Sequence, residues 1–356
     1  MSFETLIETT LANPLAPAKD QRAIGYLGAD VPVELLIAAQ AHPIRLRGNA
    51  SVATPHADRF IEESFSVTSR RVADQWLAGE LDALEAVVFS RSDDSAQRLY
   101  YYVCELQRLQ RCAGPRPLLF DVASIQRASS AAHTLQSTRA LAAELGVTDE
   151  HLARASAQVE RRSRLLKRLD VERAIGRVAG SLAHRVLRAA ACRWTVELDD
   201  ALERWLDSLV PGPVQRRLVL VGSEPIDEHL HETVEAAGAS IIAEINEAST
   251  IEHAPLSHGD VLTQIAARCH RRMHEARAAL GDSDQLTARV RALRPDGAIL
   301  WLLASDTGLA WEVPRIEQAL RNAGCPVLKL VVQGADHDAS TLARLASFAA
   351  AGMEAQ

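Results

Sequence analysis

Two short loops carry the most suggestive chemistry in the chain. An apolar run from Leu84 to Phe89 ends in Ser90, Arg91, Ser92 and Asp93, and another from Gly297 to Leu303 ends in Ala304, Ser305 and Asp306. A carboxylate can act as general acid or base where its surroundings set its pKa apart from that of a partner, which makes Asp93 and Asp306 candidate acid–base groups. The same residues can instead cap the helices that follow, a side-chain oxygen taking a free backbone N–H of the first turn. Ser223 and Glu224, after Arg217 to Gly222, could contact a substrate or, standing before Pro225, cap a helix. With Tyr26, in the run Ala23 to Gly28, the residues Asp93, Ser223 and Asp306 make up the candidate pocket.

Other constellations are weaker. Cys269, His270 and His274 lie in Cys-His-Arg-Arg-Met-His, with the histidines at i and i+4 on one helix face, a spacing that can bind zinc. Arg271 stands where a zincin has its general-base Glu, so a solvent-facing pair is expected. His229 and His231, two apart, point away from each other on a helix, and His253 and His258 flank Pro255 in a loop. Gly25-Tyr-Leu-Gly28 and Gly222-Ser223 end apolar runs and could let backbone approach a phosphate, yet no G-x-G-x-x-G, P-loop or G-x-S-x-G motif occurs. The run Tyr100, Tyr101, Tyr102 spreads over a helix, so at least one ring is expected in the core.

The elements that must position these groups are legible. With 356 residues, 47% apolar and 24% charged, the chain suggests two or three domains and excludes wholesale disorder, collagen and coiled-coil rods. Net charge is −7 and the arginines are scattered among acids, which gives no footprint for nucleic acid. No apolar run is long enough for a membrane span, and the start lacks the pattern of a secretory signal, so no membrane partner and a cytoplasmic location are expected. The five cysteines, Cys104, Cys112, Cys192, Cys269 and Cys325, are too few for a disulfide framework and lack C-x-x-C spacing. They are expected to be small buried apolar residues.

Apolar runs alternate with helical stretches twice over, the rhythm of parallel sheets covered by helices. The first set of strands is Ala23–Gly28, Pro43–Leu46, Leu84–Phe89 and Pro117–Val122; the second is Arg217–Gly222, Ser240–Glu244, Gly297–Leu303 and Pro326–Val332. Helices are expected at Val33–Ala41, Arg70–Leu77, Ala96–Gln110, Asp227–Ala236, Val261–Ala279, Pro314–Asn322 and Ser340–Ala350. Residues Gln136 to Leu209 are rich in helix formers and nearly free of Gly and Pro, and Pro211-Gly-Pro213 is a boundary. The expectation is α/β: two doubly wound lobes with mostly parallel sheets, 1–135 and 213–356, joined by a helical connector, 136–212. In such sheets ligands bind beyond the carboxyl ends of the strands, where the Ser-Asp loops fall.

Several segments together resemble the 2-hydroxyacyl-CoA dehydratase and benzoyl-CoA reductase family, in its smaller subunits. Ile24 to Gly48 is similar to the family's opening strand, Pro-x-Glu helix start and Pro-x-Arg. Ser90 to Leu106 resembles the segment in which the family has Cys-Asp followed by Arg-Leu-Tyr, and Gly146 to Leu169 its helical connector. Arg216 to Ser249 and Asp296 to Asp336 are similar to the second lobe, including Glu-x-Pro and Gly-x-Pro.

The resemblance implies a 4Fe–4S cluster held by three cysteine thiolates, an acyl-CoA substrate and an ATP-driven activator that supplies an electron. The positions that match the ligands carry no cysteine. The first falls near Ser64 or Ser66, the second on Ser92 and the third near Ser305. A neutral hydroxyl is a poor ligand for such iron. The expectation is therefore a scaffold with no cofactor, binding an acyl-CoA or a related cluster-bearing subunit, or associating with itself. The alternatives are an active dehydratase or reductase subunit whose cluster has unrecognised ligands, and a hydrolase or binding protein built on Asp93 and Asp306.

Overall fold

The computed structural model describes residues 2–48, 53–91, 93–123, 125–210, 212, 216–246, 260–333 and 338–351, with backbone alone for 272–279. All eight expected strands form, each within two residues of its expected bounds: β1 (Ala23–Leu27), β2 (His42–Arg45), β3 (Ala86–Ser90), β4 (Arg116–Phe120), β5 (Arg216–Gly222), β6 (Ala239–Ile245), β7 (Gly297–Leu303) and β8 (Val327–Val332). They make two four-stranded parallel sheets, ordered β2-β1-β3-β4 and β6-β5-β7-β8. The orders are the same, so the doubling read in the sequence is a doubling of topology.

Both faces of each sheet are covered, and the strand period of two assigns side chains to them. In the first sheet Ile24, Tyr26, Ala86 and Val88 enter one core, while Ala23, Leu27, Val87 and Phe89 enter the other. In the second, Val219, Val221, Ala298 and Leu300 face one core and Leu218, Leu220, Ile299 and Trp301 the opposite one. This is why these strands read as unbroken apolar runs rather than as alternations.

The helices are α1 (Phe3–Ala12), α2 (Val33–Ala38), α3 (Val67–Leu77), α4 (Asp94–Arg108), α5 (Ala128–Glu144), α6 (Asp149–Ala174), α7 (Gly180–Cys192), α8 (Val196–Asp207), α9 (His229–Ala236), α10 (Val261–Gly281), α11 (Ser283–Leu293), α12 (Thr307–Ala310), α13 (Val313–Asn322) and α14 (Ala339–Ala350). The expected helical stretch is α5 to α8, and Thr148 starts α6 by accepting from the backbone N–H of His151 at 3.4 Å. Helices α1 and α11 were not expected, although Ser2 caps the first and Asp282 the second. Among the described residues no helix is long and apolar enough to cross a membrane.

The chain forms two compact units. One comprises Met1–Leu165, Arg188–Leu202 and Ile251–His274, and carries the first sheet; the other comprises Leu166–Leu187, Glu203–Thr250 and Glu275–Gln356, and carries the second. The helical stretch between the sheets is thus divided between the two units.

Candidate functional site

In each sheet the first and third strands are neighbours while the second lies on the opposite side of the first, so the strand order reverses between β1 and β3 and between β5 and β7. A crevice beyond the carboxyl ends of such a strand pair is where open α/β sheets bind ligands. A glycine ends the first strand at both places, Gly28 with φ 105° and Gly222 with φ 123°. A Cβ on Gly28 would collide with the Ser90 Cβ, and one on Gly222 with the Trp301 carbonyl oxygen. Only glycine permits both the backbone conformation and the close approach.

In the second unit the loops after β5 and β7 bring Ser223 and Asp306 together. Ser223 Oγ donates to Asp306 Oδ2 at 3.0 Å and accepts from the Leu303 backbone N–H at 3.0 Å. The other carboxylate oxygen of Asp306 accepts from the Leu309 N–H at 3.2 Å and so caps α12. Ser305 is half-buried beside them. In the first unit Asp93 caps α4, accepting from the Ala96 N–H at 3.1 Å. Capping, one of the two readings of these aspartates, is thus realised at both loops, and in the second it coexists with a hydroxyl–carboxylate pair.

Ser66 is likewise a cap. Its Oγ accepts from the Ser69 N–H at 3.2 Å at the start of α3, and its own N–H donates to Ser95 Oγ at 3.0 Å, which ties it to the first turn of α4. Ser64, exposed, accepts from Arg98 at 3.1 Å. Arg98 also pairs with Glu62 at 3.0 Å and lies 4.0 Å from the Phe65 ring centroid. Glu62 accepts a hydrogen bond from the Tyr102 hydroxyl, which holds its carboxyl below the usual range. Ser92 lies outside the described residues.

Tyr26 is buried, and its phenol donates to the Ala191 carbonyl at 3.2 Å. Burial pushes the phenol up to about 12, whereas an unfolded tyrosine titrates near 10. The folded state therefore holds the proton more tightly. The resulting stability is complete below about pH 10 and is lost as pH rises from about 10 to 12, about 3 kcal/mol in all. Urea unfolding of Tyr26→Phe is expected to lose that alkaline decline relative to the wild type; identical profiles would contradict this. The geometry places Tyr26 in the scaffold, while Ser223 and Asp306 form a polar pair.

The cysteines do not converge as a ligand set among the described residues. Cys104 lies within α4 and Cys112 just beyond it, both half-buried. Cys192, Cys269 and Cys325 are buried, and their sulfurs face the backbone carbonyls of Arg45, Asp30 and Pro295 at 3.6, 3.8 and 4.0 Å. Burial pushes the thiols of Cys104, Cys112, Cys192 and Cys325 up, against thiolate formation.

The expected solvent-facing histidine pair on α10 is corrected. His270 is buried, and its Nδ1 bonds the Ala123 carbonyl at 2.9 Å, because this face of α10 packs into the core with Ile265 and Cys269. The His274 side chain, His253 and His258 lie outside the described residues. Of the tyrosines, Tyr101 is exposed, while Tyr100 and Tyr102 pack against a core. His229 and His231 do point apart, the first exposed and the second fully buried.

One convergence had no signal in the sequence. Glu244, near the end of β6, receives side chains from three helices: His184 Nδ1 (α7) lies 3.4 Å and His231 Nε2 (α9) 3.2 Å from its Oε1. Arg173 (α6) donates to the same oxygen at 3.0 Å, and Asn246 to Oε2 at 3.3 Å. The two imidazoles stack with centroids 4.6 Å apart. Although burial opposes ionisation, the histidines hold the Glu244 carboxyl well below its ordinary value. These residues lie on four different elements, and only the tertiary fold brings them together.

With two parallel sheets of one topology and polar loops at both points of strand-order reversal, the class of scaffold is set. The chain matches the family model of the 2-hydroxyglutaryl-CoA dehydratase D-component over residues 29–349, and it belongs to the 2-hydroxyacyl-CoA dehydratase family. No curated protein matches it at a significant level.

Proposed function

We propose that the chain is a cluster-free subunit of the 2-hydroxyacyl-CoA dehydratase type, which binds an acyl-CoA or completes the site of a related cluster-bearing subunit. The reading is carried by the absence of cysteine where the resemblance sets the family's thiolates, near Ser64 or Ser66, on Ser92 and near Ser305; of these, Ser66 uses its oxygen to cap a helix. A 4Fe–4S cluster requires anionic sulfur donors, which neutral hydroxyls cannot supply. These residues do not fit the group.

What the chain retains suits binding. Ser223 and Asp306 offer a hydroxyl and a carboxylate beyond the β5 and β7 ends, and Asp93 lies at the corresponding place in the first unit. The family description, a component of a dehydratase, fits a role alongside another subunit. Five free cysteines suit a reducing, cytoplasmic setting.

A thermal-shift series with acyl-CoA esters separates the two roles. A ligand held about 100-fold above its Kd stabilises the native state by about 2.7 kcal/mol, which raises the melting temperature by several degrees. Ser223→Ala is expected to reduce the shift. A series with no shift for any ester removes the acyl-CoA role and leaves the partner role.

A further inference from the structure

We propose that His184, His231 and Glu244 form a site for a divalent transition metal, with zinc the ion that best suits its donors. The site is independent of the cluster-free reading, since none of its residues falls on a cluster-ligand position. Two imidazoles and a carboxylate form a donor set well matched to zinc. The three donor atoms lie within 4.8 Å of one another on buried side chains. Zinc bonds of about 2.0–2.1 Å in a tetrahedron separate the donors by about 3.3–3.4 Å. The two histidine-to-glutamate separations, 3.4 and 3.2 Å, already have that length. The remaining edge, between the two imidazole nitrogens, is at most 4.8 Å, and binding requires the stacked rings to turn until it shortens to the same length.

The surroundings define the role. Side-chain exposures of 3% for His184, 0% for His231 and 4% for Glu244 leave no open position for a substrate. Three protein donors leave the fourth tetrahedral position to a water, and with substrate kept out by burial the ion's role is to fasten α7 and α9 to β6. Asn246 steadies the second carboxylate oxygen, as outer partners of metal ligands commonly do. Arg173, a cation on the same Glu244 oxygen, opposes a metal there. It also donates to Asp170 at 2.8 Å, so it keeps an anionic partner when the metal takes Oε1. The competing arrangement is metal-free: each imidazole donates an N–H to Glu244 beside Arg173, and the carboxylate is fully bonded.

Cobalt distinguishes the two. Full-length protein, freed of metal by dialysis against a chelator, is titrated with Co(II) under visible absorption and then with Zn(II). The expected result is the intense spectrum of tetrahedral cobalt saturating at one ion per chain and abolished by one equivalent of zinc. His231→Gln and Glu244→Gln are each expected to weaken cobalt binding by about 100-fold or more, with circular dichroism reporting their fold. No tetrahedral spectrum in the wild type would overturn the proposal, and so would folded variants that bind as tightly as the wild type. Should either variant fail to fold, the wild-type titration decides alone.

Discussion

Asp199→Ala is expected to destabilise the first unit by about 3–5 kcal/mol, the range for removing one partner of a buried ion pair. Arg162 on α6 and Asp199 on α8 each have a side chain 1% exposed, and Arg162 Nε donates to Asp199 Oδ1. The guanidinium also donates to the carbonyls of Ala190 at 2.6 Å and Arg193 at 3.1 Å, and lies 4.8 Å from the centroid of the Trp194 ring. Burial pulls the Arg162 pKa below its ordinary value despite Asp199, so desolvation is the larger influence on this charge. Without the carboxylate, carbonyl dipoles alone face a full buried charge. The double variant Arg162→Met with Asp199→Leu is expected to recover much of the loss, because it removes both charges and keeps apolar volume. Chemical denaturation followed by circular dichroism measures both. A loss below about 1 kcal/mol for Asp199→Ala would contradict this account of the pair.

Gly222→Ala is expected to cost about 2–6 kcal/mol. A non-glycine residue held at φ 123° carries about 1–3 kcal/mol of backbone strain. The new methyl also runs into the Trp301 carbonyl oxygen, so β5 and β7 must part, and overpacking of this kind adds about 1–3 kcal/mol. The site should suffer with the fold, since Ser223 is the next residue and its hydroxyl is held by the Leu303 N–H and Asp306. Gly28→Ala should behave alike at the first sheet, where φ is 105° and the Ser90 Cβ stands in the way. Gly308→Ala is the control. Nothing lies within 4 Å of its added methyl and it sits in α12, so it should be neutral or slightly stabilising.

The strands were legible because both faces of each sheet are covered, which selects unbroken runs such as Val-Val-Phe and Leu-Val-Leu-Val that no exposed segment would carry. The capping aspartates were legible for a local reason: Asp93 and Asp306 each accept from an N–H three residues on. The pairing of Ser223 with Asp306 was only half legible. Strand pattern placed both at carboxyl ends, but their contact depends on β5 and β7 being neighbours, and strand order is a tertiary fact. His184 and Glu244 gave no local signal, because each stands alone within an ordinary helix or strand pattern. His270 shows a related limit: its neighbour Arg271 is exposed while His270 itself faces the core, and helix phase alone does not say which flank packs.

Pairing of residues remote in sequence also explains why the candidate pocket is divided as it is. Tyr26 stands near the end of an apolar run, yet a strand turns successive side chains to opposite faces. The phenol points into a core and finds the Ala191 carbonyl, a partner on α7 that no window around β1 contains.

The central proposal is that this family member has hydroxyls at the positions the resemblance aligns with the iron–sulfur ligands and therefore binds no cluster. Its most direct test is iron and acid-labile sulfide analysis, with electron paramagnetic resonance after reduction, on protein produced and purified without oxygen. The account predicts a colourless protein with sub-stoichiometric iron and no cluster resonance. About four irons and four sulfides per chain, with a resonance integrating to one spin, would contradict it and make the chain an active dehydratase or reductase subunit with ligands outside the matched positions.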